Sequence, residues 1–158
     1  MDRWVGRVAV VTGTSSGIGA AIAELLVKKG LKVVGLARRV ERVQELSKSL
    51  KSEKGELHPL KCDVTKEGDI KEAFQWVKAN LGGVDIMINN AAVAKGASLI
   101  DGSPDELRNM VDLNIMGLSL CTQEALKSTK ERGVDGHIVH INSVVGHMPP
   151  MEFFCMYA

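Results

Sequence analysis

A glycine-rich segment, Thr12-Gly13-Thr14-Ser15-Ser16-Gly17-Ile18-Gly19, directly follows the first apolar run of the chain and precedes an amphipathic stretch. A strand-to-helix turn of this kind exposes backbone N–H groups at the positive end of the helix dipole, which suits a pyrophosphate. Glycine is needed where the chain turns sharply, where a phosphate approaches the backbone and where helix meets strand. The segment therefore predicts a dinucleotide-binding loop, with a tight turn that holds no ligand as the alternative.

The same residues also match G-x-S-x-G, the nucleophile elbow of a serine hydrolase, with Ser15 as the attacking hydroxyl. Histidines that could act as its base follow at His137, His140 and His147. Two observations count against this alternative. The loop comes after the first strand, so no earlier loop supplies the second oxyanion donor, and the chain has no HGGG-like segment.

The end of the second apolar run, Lys32 to Ala37, indicates which dinucleotide the loop would bind. An NAD site usually offers Asp or Glu there, which accepts a hydrogen bond from the ribose 2′-hydroxyl. This chain has Arg38 and Arg39 instead. A guanidinium pairs with a 2′-phosphate, which a carboxylate would repel. The sequence therefore favours NADP(H) over NAD, and two solvated arginines are the alternative.

Short apolar runs alternate with amphipathic segments along the whole chain. The predicted strands are 8–11, 32–37, 58–62, 84–89 and 137–142. The predicted helices are 17–29, 41–52, one that Thr65 caps and that ends near Gly82, and one that Ser103-Pro104-Asp105-Glu106 opens and that runs to about Lys130. Such alternation predicts an α/β protein with a Rossmann-type, doubly wound parallel sheet, covered by helices on both faces.

The 158 residues suit one domain and carry 20 basic and 19 acidic side chains, a net charge of +1. This balance argues against nucleic acid or a membrane surface as a partner. The chain has no apolar run of about 18 residues and begins with no signal-peptide pattern, so we expect a cytoplasmic protein. Cys62, Cys121 and Cys155 lack the spacing of a disulfide framework or a zinc site, and we expect no metal.

Further motifs, taken in their order, give the chain a family resemblance over essentially its whole length. They are Asp63-Val64 after the third strand, Asn89-Asn90-Ala91-Ala92 after the fourth, Asn114 in the long helix, Ser143 closing the fifth strand, and Tyr157 14 residues further on. Together with the glycine-rich loop, they resemble the short-chain dehydrogenases/reductases.

The resemblance implies a hydride transfer between NADP(H) and an alcohol or carbonyl substrate, farnesol or a similar terpenoid among the possibilities. It implies that Tyr157 is the acid/base, that Ser143 polarises the substrate oxygen, and that Asn114 holds a water. Asp63 and Val64 would contact the adenine, and Asn90 would lie against the cofactor. The full-length form would be a homo-oligomer.

Two departures from the family pattern shape the expectation for these residues. Ala92 replaces a glycine, and its methyl group would introduce strain if that position needs a positive φ or a close approach of cofactor. The lysine that the family carries four residues after the tyrosine would be residue 161, beyond Ala158. We therefore expect residues 1–158 to be the N-terminal, NADP-binding portion of a single Rossmann domain whose C-terminal strands and helices are missing. On this expectation the chain alone is inactive, and a catalytically dead nucleotide-binding or interaction fragment is the alternative.

Overall fold

A computed structural model describes residues 2–94 and 102–144 of the chain. A short 3₁₀ turn, Asp2–Trp4, precedes the first strand. The strands are β1 (Val8–Thr12), β2 (Lys32–Ala37), β3 (Glu56–Lys61), β4 (Ile86–Asn89) and β5 (His137–His140). The helices are α1 (Gly17–Lys28), α2 (Val40–Ser49), α3 (Glu67–Leu81), α4 (Pro104–Val111) and α5 (Leu118–Arg132). Within the described ranges, no helix is long and apolar enough to cross a membrane.

The five strands form one parallel sheet in the order β3-β2-β1-β4-β5. The first strand lies at the centre, with β2 on one side and β4 on the other, so the winding direction reverses between β1 and β4. In sheets of this kind, ligands bind in the crevice outside the carboxyl ends of the strands at that reversal. The doubly wound sheet predicted from the sequence is confirmed, and it places the glycine-rich loop at the crevice.

Both faces of the sheet are covered because successive side chains of a strand point to opposite faces. Ala9 and Val11 of β1 pack in one core cluster with Ala23 of α1 and Val43 of α2. On the opposite face, Val8 and Val10 pack in a second cluster with side chains of α3 and α5, among them Phe74 and Cys121. The unbroken apolar runs in the sequence reflect this two-sided burial.

The helix starts show one confirmed and one wrong prediction. Ser103 caps α4, since its hydroxyl accepts a hydrogen bond from the Glu106 N–H at 3.2 Å, with Pro104 at the first helical position. Thr65 does not cap α3, which begins at Glu67 after Lys66. The Thr65 hydroxyl instead donates to Asp63 Oδ1 at 2.8 Å, so it forms its hydrogen bond within the preceding turn rather than with the helix.

The long helix predicted to run to about Lys130 is interrupted. A π-helical turn, Asp112–Gly117, separates α4 from α5. Gly117 ends this turn against the loop that follows β3, where an added Cβ would lie 2.5 Å from the Val64 carbonyl oxygen. The close approach holds the helix against the carboxyl end of the sheet, and Asn114 lies within the π turn.

A buried carboxylate joins three elements at the amino end of the sheet. Asp85, which is 4% exposed, precedes β4. Its Oδ1 atom accepts hydrogen bonds from Arg7 Nη1 at 3.3 Å and Arg132 Nη1 at 3.1 Å, and its Oδ2 accepts one from the Val8 N–H at 2.9 Å. The start of β1, the start of β4 and the end of α5 are thereby held together, away from the crevice.

Candidate functional site

The glycine-rich loop crosses from β1 to α1 with two residues in the left-handed region, Gly13 at φ 73° and Gly17 at φ 60°. Close contact with the backbone also excludes a side chain at one glycine of this loop. A Cβ on Gly19 would lie 2.5 Å from the Gly13 carbonyl oxygen, whereas one on Gly17 would meet no atom within 4 Å. Ser16 precedes α1 in an extended conformation, and its side chain makes no capping hydrogen bond. Ser16 therefore does not cap the first N–H groups of α1, and Gly17 leaves open space before them.

Thr12 and Asn90 connect this loop to the turn that follows β4. The Thr12 hydroxyl accepts hydrogen bonds from the N–H groups of Asn90 and Ala91, at 3.0 and 2.9 Å. The Asn90 amide donates to the Thr12 carbonyl at 3.0 Å. Asn90 lines the crevice, and its amide group holds the loop. The role of Thr12 was missed, although a threonine at the buried end of a strand is itself a signal for such bonding.

The two arginines lie where β2 ends and α2 begins, and both are exposed. Arg39 donates from Nη2 to the Ser15 hydroxyl at 3.3 Å, so a guanidinium lies beside the glycine-rich loop. The loop is attached to β2 as well, because the Gly13 N–H donates to the Leu36 carbonyl at 2.9 Å. The structure thus brings together two features that are 24 residues apart in the chain.

Asp63 and Val64 form the next wall of the crevice, after β3. Oδ1 of Asp63 accepts hydrogen bonds from the N–H and the hydroxyl of Thr65, which fixes the turn. Cys62 lies beside them, and burial raises the pKa of its thiol to about 12. This thiol is therefore neutral and apolar in the cleft wall.

These residues line one cleft of about 270 Å³. Its lining comprises Gly13, Ser15, Ser16, Leu36, Ala37, Arg38, Arg39, Cys62, Asp63, Val64, Asn90, Ala91, Ala92, Val93 and Leu113. Three of the predicted loop residues (Gly13, Ser15 and Ser16) therefore face the same cavity as the arginine pair and Asp63-Val64. Ile18 lies on the neighbouring cavity, and Gly17 and Gly19 line neither of the two.

That second cavity, of about 560 Å³, contains two of the three residues predicted to be catalytic. Asn114 and Ser143 both line it. Asn114 Oδ1 accepts a hydrogen bond from the Val93 N–H at 3.0 Å, and its Nδ2 donates to the Val93 carbonyl at 2.9 Å. Tyr157, the third, lies outside the described residues.

The two cavities share the segment from Asn90 to Val93 as a common wall. They form one groove, which runs from the arginine pair past the glycine-rich loop to Ser143. Ala92 stands in this wall, and no non-glycine residue of the described ranges has a positive φ. Its backbone therefore does not need glycine.

Among the described residues, no histidine is bonded to Ser15. Its hydroxyl is bonded to Arg39, and each of the described histidines contacts another group. His58 pairs with Glu56 at 3.0 Å, His137 packs against Trp4, and His140 contacts Asn89. Nor do the described residues include a cluster of three His, Cys, Asp or Glu side chains that could hold a metal ion.

Known proteins are similar to this chain in sequence. The family model for short chain dehydrogenase matches residues 7–158. Farnesol dehydrogenase of Aedes aegypti is 58% identical over 149 residues, covering 93% of this chain and 61% of that protein. Dehydrogenase/reductase SDR family member 11 of Homo sapiens is 49% identical over 150 residues, covering 93% of this chain and 58% of that protein.

Solved structures agree. A metagenomic short-chain oxidoreductase in complex with NADP superposes with a TM-score of 0.90 at 32% identity, covering 96% of this chain and 69% of that one. L-Sorbose reductase from Gluconobacter frateurii, complexed with NADPH and L-sorbose, superposes with a TM-score of 0.91 at 29% identity. That match covers 97% of this chain and 58% of the reductase chain. The chain spans about 60% of the length of the two curated relatives. By its motifs, its sheet and these matches, the chain belongs to the short chain dehydrogenase family.

Proposed function

We propose that the protein is an NADP(H)-dependent oxidoreductase that transfers a hydride between the nicotinamide and an alcohol or carbonyl substrate. The observation that carries the proposal is the shared wall from Asn90 to Val93, which joins the cavity beside Arg38 and Arg39 to the cavity of Asn114 and Ser143. A dinucleotide laid along this groove has its phosphate-bearing ribose at one end and its nicotinamide at the other. Residues 1–158 are then the nucleotide-binding portion of one Rossmann domain.

The residues present fit such a cofactor. The N–H groups that begin α1 would hold the pyrophosphate over Gly17, where a side chain would occupy open space. Asp63 and Val64 would hold the adenine. Arg38 and Arg39 would hold the 2′-phosphate, and the bond from Arg39 to Ser15 already directs one guanidinium to the loop.

When bound, the nicotinamide supplies or accepts the hydride. The Ser143 hydroxyl would donate a hydrogen bond to the substrate oxygen, and the Tyr157 phenol would give that oxygen its proton or take it away. The Asn114 amide keeps one N–H and one lone pair beyond its two bonds to Val93, which suits a water molecule. In this proposal, Asn114 also positions the wall against which the cofactor lies.

We propose a long apolar alcohol such as farnesol, or a similar terpenoid, as substrate. The cavity of Ser143 is lined by Ile18, Val93, Leu118 and Ile141, whose side chains suit a hydrocarbon chain. The 58% identity with farnesol dehydrogenase of Aedes aegypti supports this class. A second candidate is nucleotide binding without turnover, for which cofactor binding would be measurable but alcohol oxidation would not.

Cofactor preference can be tested by titrating the protein with NADP⁺ and NAD⁺ in a calorimeter. We expect NADP⁺ to bind more tightly, and Arg38→Asp and Arg39→Asp each to weaken NADP⁺ about 10- to 100-fold while leaving NAD⁺ nearly unchanged. Arg42→Asp is the matched control, because it makes the same charge change at an exposed position of α2. Equal affinity of the unmodified protein for both nucleotides would contradict the NADP(H) assignment.

Turnover separates the enzyme from the alternatives. Farnesol oxidation by the whole protein should depend on NADP⁺ and fall at least about 100-fold in Ser143→Ala. The serine hydrolase would instead cleave p-nitrophenyl esters without nucleotide and lose that activity in Ser15→Ala. NADP⁺ binding without oxidation of any alcohol offered would favour the second candidate.

We place the protein in the reducing cytoplasm, because both described cysteines, Cys62 and Cys121, are free thiols. For the whole protein we propose a homo-oligomer. Val111, Ile115 and Leu126 expose apolar side chains along the α4–α5 helix, which is the kind of surface that a second copy covers. Light scattering of the whole protein, and of Leu126→Glu, would test this.

A further inference from the structure

A small hydrogen-bond network behind the groove fixes the orientation of one buried amide. Asn89, the last residue of β4, is 4% exposed. Its Nδ2 lies 2.9 Å from the Thr122 hydroxyl, and that hydroxyl donates its single hydrogen to the Leu118 carbonyl at 2.8 Å. The Thr122 oxygen is therefore an acceptor toward Asn89, and the amide must present its NH₂ group there. With the amide reversed, two lone pairs would face each other.

The same NH₂ group contacts a histidine ring. Asn89 Nδ2 lies 3.2 Å from His140 Nδ1, across the β4–β5 pair. An amide nitrogen only donates, so Nδ1 is the acceptor in this contact. Asn89 Oδ1 has no hydrogen-bond partner among the described residues, so the donor side provides the polar attachment of this amide.

This contact lies at the centre of the groove wall. Asn89 immediately precedes the segment from Asn90 to Val93 that both cavities share, and His140 lies three residues before Ser143 on the neighbouring strand. The Ile141 N–H donates to the Asn89 carbonyl at 2.9 Å, which continues the same connection through the backbone. The bond from Asn89 to His140 therefore sets the end of β4 against the end of β5.

We propose that His140 is a positioning residue, which holds the cofactor wall against the strand that precedes Ser143 by accepting the bond from Asn89. Without an acceptor at residue 140, the Asn89 amide, which is 4% exposed, would keep a buried donor unpaired.

Two substitutions isolate the proposal. In His140→Asn, the amide oxygen can accept the bond from Asn89. In His140→Phe, a ring of similar size offers no acceptor. At about pH 8, we expect His140→Asn to unfold at the same temperature as the unmodified protein and His140→Phe to unfold about 3 °C lower. Equal melting temperatures for the two variants would overturn the proposal.

A second readout bears directly on the tautomer. Nitrogen-15 NMR of the His140 ring at about pH 8 should show a protonated Nε2 and an unprotonated Nδ1. A protonated Nδ1 would overturn the proposal, because it could not accept the bond from Asn89.

The effect on the groove rests on the proposed function, and a third measurement addresses it. The affinity for NADP⁺ should weaken about 5-fold in His140→Phe but not in His140→Asn at about pH 8. If NADP⁺ fails to bind any variant, the proposed function is wrong, while melting and NMR still decide the role of His140. If NADP⁺ binds all three equally, His140 does not position the cofactor wall.

Discussion

Two polar side chains near the carboxyl end of the sheet, one on β1 and one on the π-helical turn, form hydrogen bonds with backbone groups of neighbouring loops. The Thr12 hydroxyl accepts two backbone N–H groups, and the Asn114 amide bonds to both backbone groups of Val93. Each side chain thus supplies hydrogen bonds to backbone groups that no neighbouring strand pairs. Substitution of such a residue alters the shape of the groove even if the residue never touches a ligand.

We predict that Asn114→Ala destabilises the fold, because it leaves the Val93 N–H and carbonyl without their partner. The loss should be about 2 kcal/mol, or ~6 °C in melting temperature. Asn109→Ala, at an exposed position of α4, is the control and should change stability by less than about 0.5 kcal/mol. Calorimetric melting would measure both. Equal melting temperatures for the two variants would show that the bonds to Val93 are dispensable.

For single residues, the sequence predicts the position along the chain better than it predicts the hydrogen-bond partner. The positions of Ser15, Arg39, Asn90 and Ser143 at the ends of strands follow from the alternation of apolar runs and loops. The bond from Arg39 to Ser15, and the orientation of Asn89 toward His140, depend on which strands become neighbours in the sheet. The order of the strands in the sheet is a property of the folded chain, and no local pattern in the sequence indicates it.

Among the elements, the helix from α4 to α5 departs most from expectation. The capping box at Ser103 and the apolar periodicity predict one regular helix, yet Asp112–Gly117 is π-helical. The extra residue in this turn has no propensity signal, because it arises where the helix packs against the loop after β3. Gly117 marks the place, because a Cβ at this position would lie 2.5 Å from the Val64 carbonyl oxygen.

We predict that Gly117→Ala moves the helix away from the Val64 carbonyl, since the new Cβ would otherwise lie 2.5 Å from that oxygen. The variant should lose about 2 kcal/mol of stability and melt ~6 °C lower, with weaker NADP⁺ binding because Val64 lines the cleft. Gly68→Ala in α3 provides the control. A Cβ there meets nothing within 4 Å, so this variant should be equally stable or gain about 0.5–1 kcal/mol. If both variants melt alike, the approach at Gly117 is not tight.

The remaining elements follow the predictions closely, because two-sided burial produces unbroken apolar strands and one-sided burial produces helical periodicity. The predicted and observed bounds of β2 are identical at Lys32–Ala37. The second helix ends at Ser49, three residues before the predicted end. At the third helix, the predicted cap was wrong, because the Thr65 hydroxyl donates to Asp63 Oδ1 and α3 begins only after Lys66.

For the molecule as a whole, the two described thiols report on global opening. Cys62 and Cys121 are buried in the same core cluster, and burial raises the pKa of each from 9.0 to about 12. We predict that neither reacts with a soluble alkylating reagent at about pH 8 until the core opens, at least ~1000-fold more slowly than in the unfolded chain. Mass spectrometry in a Cys155→Ser background would measure the rate, and bound NADP⁺ should slow it further.

The pH dependence of that stability has a definite sign. The thiols ionise near pH 9.0 in the unfolded chain but near pH 12 in the folded one, so the folded state retains the protons between these values. The stability that they contribute is fully present below about pH 9 and is lost as the pH rises through 12. Rapid alkylation at about pH 8 in the folded protein would contradict the buried placement of both thiols.

The two faces of the sheet also differ in when a ribosome can complete them. Every member of the cluster under α1 and α2 except Ile86 and Ile88 lies before residue 58, so nearly all of that face emerges early in translation. The opposite cluster extends to Ala125 of α5. Until that helix leaves the exit tunnel, Val8, Val10 and Val34 lack much of their cover. The nascent chain therefore passes through a stage in which one face of the sheet is packed and the other exposes apolar side chains. This is the stage at which a chaperone would bind it.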